Sequence, residues 1–285
     1  MPQRVLIAGC GDIGGALGAT LALEGHTVWG LRRRVEALPK TLRPLQADLA
    51  EPLPAELLSI PFDTVYYTAA ASERSDAGYQ EAYVQGVRHL INALQNNPAV
   101  KRLIFVSSTS VYAQTTGELV DEDSPTIPHH FSGQRMLEAQ ALIHQSPWES
   151  TCLRFGGIYG PARTRLARRV LEGGAQLKSP ASNGLPFYTN RIHRDDCVAA
   201  LAVLLQVPTL PSLLLGVDDA PAPWNEVITW RADTCGLPPP SGVAPSPSAT
   251  NKRCDNQRLK ALGFALQYPS WREGYGPILA SLQKK

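Results

Sequence analysis

Residues 4–26, RVLIAGCGDIGGALGATLALEGH, join an apolar run to a glycine-rich turn and then to a stretch with helical spacing. The glycines Gly9, Gly11 and Gly14 have the spacing Gly-x-Gly-x-x-Gly. The first permits a tight turn, the second lets the backbone approach a pyrophosphate, and the third lets a helix pack closely on a strand. Because the motif lies between a predicted strand and a predicted helix, it predicts a dinucleotide-binding unit rather than an ordinary glycine-rich turn.

Further apolar runs alternate with helical stretches along the chain. They cover residues 4–9, 27–31, 42–48, 63–69, 102–108 and 150–156, with another strand-like run at 212–217. Most of them lack polar alternation and are rich in Val, Ile, Leu, Tyr and Phe, which is typical of parallel strands covered on both faces. The sequence therefore predicts an α/β protein with a Rossmann-type, doubly wound parallel sheet.

The alternation of strands and helices ends near residue 160. A basic helix, a polar loop and a second helix follow, and the Pro-, Ser- and Gly-rich segment 235–252 is expected to cross the surface without regular structure. We predict a dinucleotide-binding domain over residues 1–160 that also receives about 190–217. Residues 161–190 and 218–285 would form a smaller, partly discontinuous substrate-binding region.

Composition narrows the class of protein. The 285 residues include 27 basic and 25 acidic side chains, so the balance of +2 indicates neither a nucleic-acid nor a membrane partner. Five widely spaced cysteines contain no Cys-x-x-Cys pair, which argues against a disulfide framework and against a zinc site. No apolar run is long enough for a signal peptide or a membrane span. We expect a cytoplasmic protein without a metal.

The end of the second predicted strand bears on the choice of cofactor. An NAD site usually places Asp or Glu there, but this chain has WGLRRR, with Arg32, Arg33 and Arg34. Guanidinium groups can grip a 2'-phosphate, and no acidic side chain stands there to repel it. NADP is therefore favoured over NAD, with a solvated basic turn as the alternative interpretation.

Several motifs follow the glycine loop in an order that is typical of one superfamily. They are ADL at 47–49, YTAAAS at 67–72, FVSSTSVYA at 105–113, LRFGGIYGP at 153–161 and RIHRDDCVAAL at 191–201. With them the chain resembles the extended short-chain dehydrogenases/reductases, and among these the NAD-dependent epimerase/dehydratase family. The resemblance covers almost the whole chain. It implies NAD(P)-dependent reduction, epimerisation or dehydration of a small molecule, often a nucleotide sugar, and a homodimer is compatible with it.

The same resemblance implies which residues contact the cofactor. Asp48 and Leu49 would border the adenine, and Thr68–Ala70 would lie along the cofactor. Ser107 and Ser108 would face the nicotinamide. The expected cofactor-binding set is Gly9, Gly11, Asp12, Ile13, Gly14, Arg32, Arg33, Asp48, Leu49, Thr68, Ala69, Ala70 and Ser107.

The acid-base pair of the superfamily, Tyr-x-x-x-Lys on a helix, does not occur in this sequence. A free tyrosine has a pKa of about 10 and needs a nearby ammonium to act at neutral pH. None of the seven lysines has a tyrosine four residues before it. In HHFSGQRMLEAQ (129–140) one register places Ser132 and Met136 at the two positions, and the other places Phe131 and Arg135 there.

Other groups must therefore carry any proton transfer. Ser108 and Ser132 are the expected catalytic hydroxyls, and Tyr112 and Arg163 are the expected substrate contacts. Further substitutes, each with a packing or capping role as the alternative, are His129, His130, Tyr112 and Tyr159. Two functions stay open. One is an oxidoreductase or epimerase with an altered acid-base group and an anionic or sugar-related substrate. The other is a non-catalytic NADP(H)-binding redox sensor or regulatory protein.

Overall fold

A computed structural model describes residues 1–181, 183–240, 242–244 and 250–283 of the chain. Its helices are α1 (Asp12–Leu23), α2 (Asp76–Tyr79), α3 (Gly86–Leu94), α4 (Phe131–His144), α5 (Arg165–Leu171), α6 (Arg194–Gln206), α7 (Trp224–Thr234), α8 (Gln257–Lys260) and α9 (Trp271–Gln283). Its strands are β1 (Arg4–Ala8), β2 (Thr27–Arg32), β3 (Arg43–Gln46), β4 (Thr64–Tyr67), β5 (Arg102–Ser108), β6 (Glu118–Val120), β7 (Glu149–Phe155), β8 (Gly157–Tyr159), β9 (Leu177–Lys178), β10 (Tyr188–Thr189), β11 (Arg191–His193), β12 (Leu213–Gly216), β13 (Ala222–Pro223), β14 (Val243–Ala244) and β15 (Lys252–Cys254). A π-helical stretch, Gln80–Gln85, joins α2 to α3.

One seven-stranded sheet forms the framework of the fold. Its order is β12-β7-β5-β4-β1-β2-β3. The pairs that join β3, β2, β1, β4 and β5 are all parallel, with Val5 of β1 opposite Val28 and Thr64 of its two neighbours. Each of the seven apolar runs of the sequence forms one strand of this sheet. The predicted Rossmann-type α/β fold is confirmed.

The central strands are buried on both faces because helices cover both sides of the sheet. Every residue of β4 is buried, and so are four of the five residues of β1. Leu17 and Leu21 of α1 and Val87 and Leu90 of α3 have no exposed surface. Apolar burial of this kind is the main favourable term in folding. In the described part of the chain, no helix combines the length and apolar character that a membrane crossing requires.

The chain divides into two compact units. The first unit comprises Met1–Val111, Pro128–Arg154 and Val198–Leu214, and it holds the glycine loop and the central strands. The second unit comprises Tyr112–Ile127, Phe155–Cys197 and Leu215–Lys285. Its strands form two-stranded pairings, which are β10 with β13, β11 with β8, β14 with β9, and β15 with β6. The domain boundary near residue 160 stays a prediction.

The segment 235–252 departs from the expected irregular structure at two places. Val243–Ala244 pairs in parallel with Leu177–Lys178, and Lys252 begins β15. The reason is that the backbone groups of β9 need partners, and the Leu177 amide donates to the carbonyl of Gly242 at 3.1 Å. Residues 241 and 245–249 of this segment lie outside the described residues.

Candidate functional site

The glycine loop connects β1 to α1 in the first unit. Gly9 has a φ of +81°, and a Cβ added there would lie 2.4 Å from both the Cα and the N of Ala69. Gly14 is equally enclosed, because its Cβ would lie 2.4 Å from Thr68 Oγ1. At Gly11, in contrast, the nearest such atom is 3.9 Å away. The loop therefore packs tightly at two glycines and is open at the third.

The amino terminus of α1 begins at the open glycine. Gly11 is its N-cap residue, so no side chain caps the first turn, which contains Asp12, Ile13 and Gly14. Amide groups and the helix dipole at such a terminus attract anions. The open Gly11 and the uncapped helix terminus fit the pyrophosphate of a dinucleotide, as the motif predicts. NAD(P) would be held here, and when bound it would supply hydride chemistry.

Two arginines at the end of β2 differ in their contacts. Arg32 donates from Nη1 to the carbonyl of Cys10 in the glycine loop at 3.2 Å and to that of Ala37 at 3.4 Å. Arg33 lies 3.9 Å from an oxygen of Asp48, and the side chains are 67% and 41% exposed. Because this ion pair is long and solvated, it is weak. The Arg33 guanidinium is therefore the more available of the two for a ligand.

The predicted residues that follow β3 and β4 also lie in the first unit. Thr68 donates from Oγ1 to the carbonyl of Gly9 at 3.0 Å, which joins the loop after β4 to the glycine loop. Ala70 is exposed. Asp48 accepts the amide of Ala50 at 3.1 Å, and the carbonyl of Leu49 lies 2.9 Å from a ring nitrogen of His89. Asp48 thus caps a turn, and its contact with adenine stays a prediction.

Ser107 at the end of β5 belongs to a buried hydrogen-bond chain. Arg154 donates to Gln140 Oε1 at 2.7 Å, and Gln140 donates from Nε2 to Ser107 Oγ at 2.6 Å. The Ser107 hydroxyl itself points to Met136 Sδ at 3.8 Å, a weak acceptor. Ser107 is only 4% exposed, so its contact with nicotinamide stays a prediction. The neighbouring Ser108 is half-buried and accepts the amide of Ser110 at 3.1 Å.

We expect the substitution Gln140→Leu to lower the free energy of unfolding by roughly 2–4 kcal/mol. It removes both hydrogen bonds of the amide and leaves buried polar groups of Ser107 and Arg154 without those partners. Gln134→Leu on the exposed side of α4 is the matched control, with an expected change under about 0.5 kcal/mol. Urea denaturation of both variants provides the measurement. Equal losses in the two would contradict a role for the chain.

The start of α4 brings two predicted residues together. His130 is the N-cap, and its Nδ1 accepts the amide of Ser132 at 3.3 Å and lies 2.9 Å from Ser132 Oγ. An Nδ1 that accepts hydrogen bonds leaves Nε2 to carry the proton of the neutral ring. Ser132 therefore has an imidazole beside it, which a serine hydroxyl needs for proton transfer. The His130 ring also packs against the Phe131 ring in a tilted arrangement, with ring centroids 4.1 Å apart.

Met136 and Arg135, which take the position of the expected lysine in the two possible alignments, contact other groups. Met136 is 4% exposed and packs by Ser107. Arg135 donates to both carboxylate oxygens of Asp76, at 2.7 and 3.1 Å, and to Glu138 at 2.6 Å. A guanidinium held by two carboxylates contributes less positive charge to its surroundings than a free ammonium. In neither alignment does a tyrosine hydroxyl lie beside a cation that lacks a carboxylate partner.

The predicted substrate residues belong to the second unit. Tyr112 is fully buried, and its hydroxyl donates to the carbonyl of Asp121 at 2.7 Å. Arg163 is exposed, and its amide donates to the carbonyl of Gly160 at 2.9 Å. Tyr159 is also buried, at 2% exposed. Contact of Tyr112 and Arg163 with a substrate stays a prediction, and the hydroxyl of Tyr112 is already used.

Sequence reasoning missed the Arg154 and Gln140 pair. The one available signal was Arg154 itself, a charged residue inside the apolar run 150–156. A charge on a doubly covered strand needs a buried partner, because arginine is rarely buried unless paired. The identity of that partner depends on how α4 lies on the sheet, which spacing along the chain does not determine.

The parallel sheet, the glycine loop and the open helix terminus define a dinucleotide-binding protein of the Rossmann class. A model of the NAD-dependent epimerase/dehydratase family matches residues 5–210. The chain belongs to this family, as its motifs predicted. The family binds NAD, and solved structures with the same fold include complexes with NAD.

Three similar proteins illustrate the range of the family. A Streptomyces protein named 3-diazoavenalumate denitrifying reductase is 31% identical, over 96% of this chain and 99% of its own. A structure from Methylobacillus flagellatus, named for the NAD-dependent epimerase/dehydratase family, is 37% identical, covers 99% of this chain and 100% of its own, and has a TM-score of 0.84. The Bordetella bronchiseptica enzyme WbmG in complex with NAD is 20% identical, covers 100% and 95% of the two chains, and has a TM-score of 0.82. At that identity WbmG shows the shared fold alone.

Proposed function

We propose that the protein is an NADP(H)-dependent reductase that acts on a strongly electrophilic small molecule without a tyrosine-lysine pair. One observation carries this proposal. At the start of α4, Met136 is buried beside Ser107 and Arg135 is held by Asp76 and Glu138. A carbonyl acceptor needs a proton on its oxygen during reduction, and this site lacks the phenol that usually supplies it. The substrate should therefore be a compound whose reduction needs little or no proton transfer from the protein.

The hydroxyl groups near this position are assigned a supporting role. Ser108 and Ser132 would orient the substrate as hydrogen-bond donors, and His130 would hold or return the Ser132 proton. In the reduction of an aryl diazonium group, the hydride of NADPH takes the place of N2, which leaves as a gas. No oxygen atom has to receive a proton in this reaction. The name of the Streptomyces relative describes a denitrifying reduction of a diazo compound. We extend that reaction class to this protein as the first substrate class to test.

The experiment compares electrophiles that differ in their need for a proton. Purified protein is incubated with NADPH and an aryl diazonium salt, an aldehyde panel or a ketone panel, and protein-free mixtures give the background. NADPH consumption above background with the diazonium salt, with the nitrogen-free arene detected by mass spectrometry, is the expected result. Efficient turnover of an aldehyde or ketone alone would contradict the proposal.

A non-catalytic NADP(H) sensor is the second candidate, favoured by the same lack of a phenol beside an ammonium. It predicts tight NADPH binding without turnover of any electrophile. In the described chain no disulfide joins the cysteines, which are Cys10, Cys152, Cys197, Cys235 and Cys254, and this supports a reducing cytoplasm as the compartment for either candidate. A homodimer stays a prediction from the family resemblance.

We expect Arg33→Ala to weaken NADPH binding by about tenfold and to leave NADH binding nearly unchanged. The reason is that Arg33 is exposed and only loosely paired with Asp48, so its guanidinium can reach a 2'-phosphate. Lys101→Ala, at an exposed cation that directly precedes β5 and so lies at the opposite end of the parallel strands from the glycine loop, is the control. Titration of both cofactors followed by fluorescence gives the dissociation constants. Tighter binding of NADH than of NADPH by the unmodified protein would refute the NADP assignment.

A further inference from the structure

A turn at residues 48–50 follows β3 at the same edge of the parallel sheet as the glycine loop. This is the edge at which open α/β sheets bind their ligands. One hydrogen bond lies within the turn, from the Ala50 amide to Asp48 Oδ1 at 3.1 Å. Another joins the turn to a helix, because the Leu49 carbonyl lies 2.9 Å from Nδ1 of His89 in α3. The place of the turn in the first unit is therefore tied to His89.

The direction of the bond between His89 and Leu49 follows from its chemistry. A carbonyl oxygen can only accept a hydrogen bond, so Nδ1 of His89 carries the hydrogen and donates it. The His89 side chain is half-buried. Because water is partly excluded there, the bond is stronger than a similar bond at the surface.

Tyr67 and Gly86 explain how α3 comes so close to the turn. Tyr67, the last residue of β4, donates its hydroxyl to the carbonyl of Ala82 in the π-helical stretch before α3. A Cβ added at Gly86 would collide with the Tyr67 hydroxyl and lie 3.4 Å from the Leu49 carbonyl. His89 follows Gly86 by three positions, so the two residues lie on the same face of the helix. That face can approach the turn because position 86 has no side chain.

The turn holds residues that the family resemblance assigns to the adenosine end of the cofactor. Asp48 and Leu49 are expected to border the adenine. The ion pair between Arg33 and Asp48, at 3.9 Å, is long and solvated, so it contributes little to holding the turn in place. The shorter, half-buried bond from His89 contributes more. Without it, the backbone that carries Asp48 and Leu49 would be less fixed.

We propose that His89 is a positioning residue for the adenosine half of NAD(P), acting through the Leu49 carbonyl. Its ring fixes the backbone of the turn, and the turn contacts the adenine. The proposal rests on the dinucleotide binding that the proposed function includes and on the expected adenine contacts of the turn, but not on any turnover. Loss of the bond should weaken binding of the adenosine half by about tenfold, the usual value of one hydrogen bond.

The test measures binding of the two halves of the cofactor separately. Adenosine 2',5'-bisphosphate, reduced nicotinamide mononucleotide and NADPH are each titrated against the full chain by calorimetry. His89→Leu removes the donor and should weaken binding of the bisphosphate and of NADPH by about tenfold. Binding of the mononucleotide should stay unchanged. A general effect on the fold would instead weaken binding of both halves alike.

A rescue variant tests the hydrogen bond itself. His89→Asn should restore binding of the bisphosphate, because Nδ2 of asparagine, like Nδ1 of histidine, is bonded to Cγ and donates a hydrogen bond.

His26→Leu is the matched control for His89→Leu. His26 is also half-buried, and its Nδ1 accepts the amide of Gln3 at 2.9 Å. It directly precedes β2, at the edge of the sheet opposite the glycine loop. Loss of its hydrogen bond should therefore leave binding of both halves unchanged.

The outcomes separate this proposal from the reductase proposal. If His89→Leu binds the bisphosphate as tightly as the unmodified protein does, or if His89→Asn fails to restore that binding, the role of His89 is overturned. Equal losses for the two halves, or the same loss in His26→Leu, would also overturn it. Normal binding of both halves without reduction of the diazonium salt would contradict the reductase proposal alone. Should His89→Leu fail to fold, His89→Gln, whose amide nitrogen lies one bond farther from the backbone, replaces it with the same expected results.

Discussion

Replacement of Gly9 by alanine should prevent cofactor binding and remove much of the stability of the first unit. Gly9 has a φ of +81°, a region that alanine enters only at a cost of roughly 1–2 kcal/mol. Its new Cβ would also lie 2.4 Å from the Cα and N of Ala69, far inside normal contact. Because these are backbone atoms, β1 and the loop after β4 would have to move apart. The total loss should reach roughly 3–5 kcal/mol.

Gly25→Ala is a matched control for this substitution. Gly25 has a φ of +90°, but a Cβ there would meet no atom within 4 Å. It should therefore show only the conformational cost, about 1–2 kcal/mol, and bind NADPH normally. Chemical denaturation and NADPH titration measure the two effects. If Gly9→Ala binds NADPH as tightly as Gly25→Ala does, the glycine loop is not the cofactor site.

The stability that Asp218 contributes should fall as the pH rises from about 4 to about 8. Burial raises the pKa of its carboxyl from the ordinary 3.8 to about 8. Between these values the folded chain holds a proton that the unfolded chain has lost. The contribution of Asp218 to the free energy of unfolding is complete below its pKa in the unfolded chain. It disappears as the pH rises through its pKa in the folded chain. A shift of this size corresponds to roughly 3–6 kcal/mol.

Asp218→Asn should remove most of this dependence, because asparagine resembles the protonated carboxyl and never ionises. Asp218 is 1% exposed, and its Oδ1 accepts the amide of Ala220 at 3.2 Å, a contact that asparagine can keep. At pH 9 the variant should be more stable than the unmodified protein. Urea denaturation at pH 5, 7 and 9 tests this, with the exposed Asp233→Asn as control. If the free energy of unfolding changes with pH in the same way in all three proteins, burial does not raise the pKa of Asp218.

Much of the fold could be predicted from local sequence patterns. The runs 4–9 and 63–69 are apolar on both faces, and only a strand covered on both sides of a sheet buries such a pattern. The spacing of Gly9, Gly11 and Gly14 indicated the loop because backbone conformation depends on the residues at those positions. The family followed from the order of short motifs along the chain. Each of these inferences uses information within a few residues.

Only part of the chemistry of the site could be predicted from local sequence patterns. The sequence alone excludes a Tyr-x-x-x-Lys pair, since that is a matter of which residues occur at which spacing. The pairing of His130 with Ser132 was also within reach, because the two are neighbours in the chain. The engagement of Arg135 by Asp76 was not, since it depends on α2 lying beside α4, 59 positions away in sequence.

The sequence by itself determined the sheet, the glycine loop and the lack of the usual acid-base pair. Tertiary structure alone decided which polar groups are buried together, such as Ser107 with Gln140 and Arg154 in one unit, and the Arg231 guanidinium over the Tyr275 ring in the other. The physical reason is that burial and electrostatic environment are set by whole elements packing against each other. Residue type and spacing fix local backbone geometry, but the surroundings of a charge exist only in the folded chain.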